Sequence, residues 1–396
     1  MLYNRDIISK IDKVLLKEEI IILTGARQTG KTSIMFILKR RLEELGRSCS
    51  YFNLENPDYL RLFNAQPLNV LELLPDSKEK QFVFIDEVQY LDDPTRFLKL
   101  LYDEKRGKIK LVASGSSAFY MDRKFKDSLA GRKFIFEVRP LDFDEFLVFS
   151  GRLELAGHAR GNLTAYYKEK LLASWRKYIT YGGYPKVALA ESDDQRIAAV
   201  SEIGGSYIKK DIAEAGIRNS EKYLALLKIL ASQTGQLVNS MELCGTLGMT
   251  HKTMEEYLYV IAKSYQAAFI KPFHGNIRKE LTKMPKVYFY DPGLRNFFLN
   301  NFDDIGKRPD KGGYLENLCF AELLRRAGAA DKVRFWRTQD KKEVDFVVEK
   351  EAFEVKFDAA GVKRREYKIF QETYPGIKLR FLGNADILPE FYGWKL

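Results

Sequence analysis

Cysteine is scarce in this chain. Three occur in 396 residues, Cys49, Cys244 and Cys319, odd in number and widely spaced. That argues against a disulfide framework and against a zinc site, and it suits a reducing compartment. Long apolar runs are missing too, since none approaches the roughly 18 residues that a membrane-spanning helix needs. The opening MLYNRDIISKIDKVLLKEE carries charge throughout and lacks the apolar stretch of a signal peptide. Internal repeats and low-complexity tracts are also missing. The expectation is a cytoplasmic chain with no membrane contact. Acids are the minority charge, 54 Asp+Glu against 65 Lys+Arg, for a net charge of +11. The surplus suits a DNA partner, although a moderate excess spread over this length is also ordinary. With 45% hydrophobic residues the chain can bury several cores. Its length suggests roughly two to four domains.

The densest pattern begins at Ile20-Ile21-Ile22-Leu23-Thr24. This continuous apolar run reads as a buried parallel strand, and a helical pattern from Ser33 to Leu45 follows a glycine-bearing turn. Between them, Gly25-Ala26-Arg27-Gln28-Thr29-Gly30-Lys31-Thr32 spells G-x-x-x-x-G-K-T. Glycines let such a loop fold tightly, so that backbone N–H groups converge on a phosphate chain at a helix N-terminus. Lys31 is then placed to reach the β- and γ-phosphates, and the Thr32 hydroxyl to take a place on Mg²⁺. The expected ATP-binding set is Gly25 to Thr32 together with Ser33.

A second apolar run, from Lys80, ends in Asp86-Glu87. Strand ends of a parallel sheet share one crevice, so Asp86 is expected to hold Mg²⁺ through water and Glu87 to orient or deprotonate the attacking water. A capped strand end is the plainer alternative. The strand Lys110 to Ala113 runs into Ser114-Gly115-Ser116-Ser117. Ser114 is expected beside the γ-phosphate, with simple turn chemistry as its rival. Among Arg123, Arg132 and Arg139, Arg132 is favoured as an arginine finger for a neighbouring copy, which presumes a homo-oligomer. The alternative for Arg132 is an ordinary surface arginine.

Strand and helix alternate up to Lys133–Val138, the signature of a parallel sheet covered on both faces. Helices are expected at 5–16, 58–74 and 93–104. Composition shifts near residue 150, and a helical stretch follows to about 212, broken at Tyr181-Gly182-Gly183-Tyr184-Pro185. Three helical patterns in 223–264 precede a strand pair in 269–290. Together they read as a winged helix whose recognition helix starts at Thr250-His251-Lys252-Thr253. Its wing would carry His274, Asn276, Arg278, Lys279, Lys283 and Lys286 to the DNA backbone. Glu255 and Glu256 weaken that reading, because acids repel phosphate. A protein-contact module is the alternative. His251 and His274 lack metal-ligand spacing.

Near the C-terminus, Asp345 sits in one strand and Glu354-Val355-Lys356 in the next, after a helix bearing Glu316. Glu354 and Lys356 share a strand face. Carboxylates bind a hard divalent ion, and the lysine can position a nucleophile at a phosphate. Exposed hairpins also carry such residues by chance. The E…D-x8-E-x-K pattern resembles the PD-(D/E)xK nuclease core in all four polar positions, which marks Glu316, Asp345 and Glu354 as metal ligands with Lys356 as their partner.

The segments TGARQTGKTSIM, FVFIDEVQYLDD, LVASGSSAF, SLAGRKFIFEVRPLDFDEFL, YGGYPKVAL, YIKKDI, PKVYFYDPGL and GGYLENLCFAELLRR resemble archaeal and bacterial AAA-superfamily ATPases that carry a C-terminal domain of unknown function. The resemblance spans nearly the whole chain. It implies an α/β fold: a P-loop AAA-type parallel sheet (1–150), a helical lid or connector (151–215), a winged helix (216–300) and a PD-(D/E)xK nuclease-like domain (301–396). Two functions follow: an Mg²⁺-dependent ATPase acting on DNA, with or without nuclease activity, or an ATP switch that binds a protein partner through an inactive nuclease-like surface. A metabolic kinase lacks any evident small-substrate site.

Overall fold

A strand with no charged residue can bury both of its faces, and Ile20–Thr24 (β1) does so. Ile20 and Ile22 enter one core with Phe52, Val83, Ile85 and Leu111. Ile21 and Leu23 enter another with Ile34, Leu38, Phe82, Phe84 and Val112. This period-2 division is what a parallel sheet covered on both faces requires. The second core takes its helical half from α1 (Asp6–Leu15) and α2 (Lys31–Glu44). The first takes it from α3 (Pro57–Ala65) and α4 (Pro94–Glu104). The expected helix over 58–74 stops at Ala65. Pro67 has no amide hydrogen to continue it, and 67–73 tightens into a 3₁₀ helix.

The computed structural model describes residues 3–115, 129–156, 164–273, 284–357 and 364–383. The chain falls into two compact units. One is Met1–Arg139 with Lys263–Tyr265, and the other is Pro140–Ala262 with Gln266–Leu396.

In the first unit the remaining strands are β2 (Cys49–Asn53), β3 (Gln81–Asp86), β4 (Ile109–Ser114) and β5 (Lys133–Glu137). They form with β1 a parallel sheet in the order β2-β3-β4-β1-β5. The order matters for chemistry. It inserts β4 between β1 and β3, so the ends that carry the glycine loop, Ser114 and Asp86 lie side by side. Leu23 pairs with Ser114, and Ile85 with Ala113.

Although composition shifts near 150, the cut between units lies at Arg139. Asp142 and Glu145 form a capping box that starts α5 (Phe143–Phe149). Phe143 and Phe146 of that helix pack on Tyr178 of α6 (Ala165–Tyr181), and Phe143 also packs on Trp175. The second unit continues through α7 (Pro185–Ala188), α8 (Asp193–Ala215), α9 (Ser220–Ser232), α10 (Ser240–Leu247) and α11 (His251–Lys263). An antiparallel pair, β6 (Ala267–Ile270) and β7 (Lys286–Phe289), comes next, then α12 (Pro292–Leu299). Of the expected wing residues, His274, Asn276, Arg278, Lys279 and Lys283 lie outside the described residues.

The last stretch is α13 (Lys311–Ala327), β8 (Arg334–Arg337), β9 (Glu343–Val348), β10 (Glu351–Lys356), α14 (Lys368–Thr373) and β11 (Lys378–Gly383). Its sheet runs β11-β10-β9-β8, with β10 and β11 parallel and the other pairs antiparallel. Helix α13 packs on β7, β9 and β10. No helix among the described residues is long and apolar enough to cross a membrane.

Candidate functional site

The glycine loop leaves β1 at Gly25, whose φ of +137° suits only glycine, and a Cβ there would lie 2.1 Å from the Val138 carbonyl oxygen. Gln28 and Gly30 also take positive φ, and Gly30 begins α2 with no side chain capping the helix. The first amides of α2 are therefore left to an anion. Lys31 is buried, and its Nζ donates to the carbonyls of Gly25 (3.0 Å) and Ala26 (2.8 Å). The Thr29 hydroxyl donates to the Ala26 carbonyl, and Arg5 donates to the Thr29 carbonyl, both at 2.9 Å. Arg27 is buried, whereas Gln28 and Ser33 face outward.

Asp86, 1% exposed, gathers the site. Its Oδ2 accepts from the Thr32 hydroxyl at 2.7 Å and from the Tyr51 hydroxyl at 2.8 Å. Its Oδ1 accepts from the Ser114 hydroxyl. Burial and then the bond to Asp86 push the Tyr51 hydroxyl well above the usual tyrosine range, so it remains a donor. Glu87 lies just past the strand at φ +60°, a left-handed position rarely occupied by a residue with a Cβ. Its N–H donates to the Ser114 hydroxyl at 3.2 Å, and its carboxylate accepts from the Gln89 side chain. Lys31, Thr32, Asp86, Glu87 and Ser114 thus converge at one edge of the sheet. The Thr32 hydroxyl and the Asp86 carboxylate lie one hydrogen bond apart, an oxygen pair of the hard kind that Mg²⁺ takes, so these residues fit that ion.

Tyr51 and Gln89 belong to this constellation and carry no sequence motif. Tyr51 reaches Asp86 through the pairing of β2 with β3, where Asn53 stands opposite Asp86. Arg132 does not join it. It heads β5, where its carbonyl accepts from the Ile20 amide at 2.8 Å, at the opposite end of the sheet from Gly25. Its guanidinium pairs with Asp103 at 3.1 Å. Arg139 pairs with Glu137. Arg123, Ser116 and Ser117 lie outside the described residues.

In the second unit Glu316 (α13), Asp345 (β9) and Glu354 (β10) are brought together, but with a cation among them. Lys286, expected as an exposed wing residue, is 2% exposed. It stands on β7, which is buried along its whole length, so its side chain has no route to solvent. Its Nζ lies 2.5 Å from Glu343, 3.5 Å from Asp345 and 3.8 Å from Glu316. Glu354 pairs with Lys356 at 2.5 Å and accepts from the Tyr367 hydroxyl at 2.8 Å. The Tyr288 hydroxyl donates to Glu316 at 3.0 Å. Among the described residues no three His, Cys, Asp or Glu side chains are grouped to hold a metal ion.

Four carboxyl groups here face two ammonium groups, so burial and mutual repulsion disfavour the excess negative charge. Burial, and then repulsion by Asp345, raises the Glu316 carboxyl to about 8 and the Glu354 carboxyl to about 7. Burial opposes the charge on Lys286, yet Glu316, Asp345 and Glu343 hold it above the ordinary lysine range. Between about 4.5 and 8 the folded chain therefore keeps protons that the unfolded chain has released. Its stability falls as pH rises through that window. Melting at pH 5 and pH 8 should show a lower midpoint at pH 8, with a flatter dependence in Glu316→Gln. An unchanged slope in that variant would remove Glu316 from the account.

Comparison with known proteins places these observations. Residues 17–147 match the AAA domain family, 172–305 match Domain of unknown function (DUF8612), and 311–385 match Domain of unknown function (DUF4143). An uncharacterized protein of Haemophilus influenzae is 27% identical over 342 residues, covering 83% of this chain and 79% of that one. One from Methanocaldococcus jannaschii is 26% identical over 385 residues, covering 95% and 82%. Among solved structures, Cdc6p of Pyrobaculum aerophilum is similar at 13% identity and a TM-score of 0.32, over 72% of this chain and 91% of that one. AMPPCP-bound DnaA of Aquifex aeolicus is similar at 13% and 0.31, over 64% and 86%. The glycine loop, Asp86, Glu87 and Ser114 all fall inside the AAA match, which supports an AAA-type, ATP-binding ATPase core over residues 17–147.

Proposed function

We propose that this protein hydrolyses ATP with Mg²⁺ and uses the cycle to act on DNA. The observation that carries the ATPase reading is the Asp86 carboxylate, bonded at once to Thr32 of the glycine loop and to Ser114 of the neighbouring strand. When bound, Mg²⁺ would neutralise phosphate charge. Lys31 would exchange the Gly25 and Ala26 carbonyls for phosphate oxygens, and Thr32 and Asp86 would hold the ion. Glu87, fixed by Gln89, takes up the proton of the attacking water, while Ser114 reports on the γ-phosphate from its place between the two acids. Arg132, far from its own loop, exchanges Asp103 for the phosphate of a neighbouring copy in a homo-oligomer.

The DNA reading is supported by the charge of +11 and by the order α9-α10-α11-β6-β7, that of a winged helix, with His251 and Lys252 exposed at the head of α11. The order α13-β8-β9-β10-α14-β11 suits a nuclease-like domain. A second reading, an ATP switch for a protein partner, is favoured by Glu255 and Glu256, exposed on the same helix. Measuring ATPase rate and oligomeric state with and without single-stranded, duplex and branched DNA separates the two. The DNA reading expects severalfold stimulation that weakens as salt rises. A rate indifferent to every DNA leaves the switch.

A further inference from the structure

The acids of the second unit are of the kind a metal-dependent phosphodiesterase would use, yet the chain's own cations already answer them. Lys286 reaches carboxylates on two elements, Glu343 and Asp345 on β9 and Glu316 on α13. Further oxygens of Asp345 and Glu354 are committed as well. Asp345 Oδ2 accepts from the Val355 amide at 2.9 Å, and Glu354 Oε2 from the Asp345 amide at 3.4 Å. Glu354 Oε1 serves both Tyr367 and Lys356. A divalent ion draws about six oxygens to within about 2.0–2.6 Å. Here the central position holds a nitrogen on a buried stem, so these residues as placed do not fit such an ion.

We propose that the Lys286 ammonium is the resident cation of this cluster, standing between Glu316 and Asp345, two of the three acids that a cleaving site would turn to its divalent ion. The cluster then neither binds Mg²⁺ nor cuts. Its acids instead fasten β7 to α13 and β9, and through β7 the β6–β7 pair to the sheet β8–β11. A buried ion pair can do this because separating it strands an unpaired charge in a dry site. The inference rests on the second unit alone, and its failure would leave the ATPase reading intact.

The test is Mn²⁺ binding to the full chain without nucleotide, read from the electron paramagnetic resonance signal of free Mn²⁺. Up to about 1 mM, a weak-site concentration, wild type and Asp345→Asn should bind equally, with no Mn²⁺ assignable to Asp345. Lys286→Met should gain one Mn²⁺ per chain and lose it again in Lys286→Met/Asp345→Asn. The assignment is overturned if wild type binds Mn²⁺ that Asp345→Asn loses, or if Lys286→Met gains none. Should Lys286→Met fail to fold, wild-type melting decides. No Asp345-dependent rise in melting temperature with Mn²⁺ is expected, and such a rise overturns the proposal. Metal-dependent DNA cleavage by wild type that Asp345→Asn abolishes overturns it equally.

Discussion

Replacing Glu87 with Gln is expected to leave ATP binding intact and to lower turnover by about 10²–10⁴-fold, the range for losing a positioned general base. The amide keeps the size of the carboxyl, and its oxygen can still accept from Gln89, so the strained backbone at φ +60° has no new reason to relax. What disappears is the capacity to take a proton from water. Lys31→Ala should behave differently. That ammonium lies inside the loop, 2.8–3.0 Å from the Gly25 and Ala26 carbonyls, and on the proposed reading its removal takes away the cation that would meet the β- and γ-phosphates. A fluorescent ATP analogue should therefore bind Glu87→Gln like wild type and fail to bind Lys31→Ala. Hydrolysis by Glu87→Gln at the wild-type rate would dismiss Glu87 as the base.

How much of this was legible depended on whether the chemistry is local in the chain. The glycine loop is contiguous, and its meaning lies in eight consecutive residues, so Gly25 to Thr32 could be read before any fold was known. Asp86 and Ser114 needed one further step, because each ends an apolar strand and parallel strands share an edge. Tyr51 and Gln89 were not legible. Tyr51 acts across a strand pairing, and Gln89 acts through a turn whose left-handed start at Glu87 has no composition signature. Lys286 was misread for a physical reason. A lysine near a basic loop ordinarily points to water, but the Lys-Val-Tyr-Phe strand is covered on both faces. A run without polar alternation is the sign of such burial, and a single lysine inside it requires buried acids as partners. Glu316 and Asp345 stand out in the sequence through their spacing, whereas Glu343, at 2.5 Å the acid nearest to Lys286, belongs to no motif.

Asp291→Ala should cost the second unit about 4 kcal/mol, from one helix cap and a buried amide left without an acceptor. Asp291 is where two segments about 110 residues apart in the chain meet. Its Oδ1 accepts from the Leu294 amide at 2.9 Å and starts α12, while its Oδ2 accepts from the Gly183 amide at 2.7 Å. Every other residue at position 182 would interfere, because a Cβ there would lie 2.2 Å from Asp291 Oδ1, at φ +90°. Trp175 and Trp336 lie on α6 and β8 of the second unit, so tryptophan fluorescence follows its melting. At about 2–4 °C per kcal/mol for a unit of this size, Asp291→Ala should melt about 8–16 °C lower. Gly182→Ala should be comparably damaging, because it adds a collision to a backbone position that only glycine occupies without strain. The two together should cost clearly less than their sum. Once the Asp291 carboxyl is gone the collision is gone, and only the strain at φ +90°, about 1–3 kcal/mol, remains to be added. Strict additivity would mean that Gly182 and Asp291 do not touch in solution, and that Gly182 is required by its backbone conformation alone.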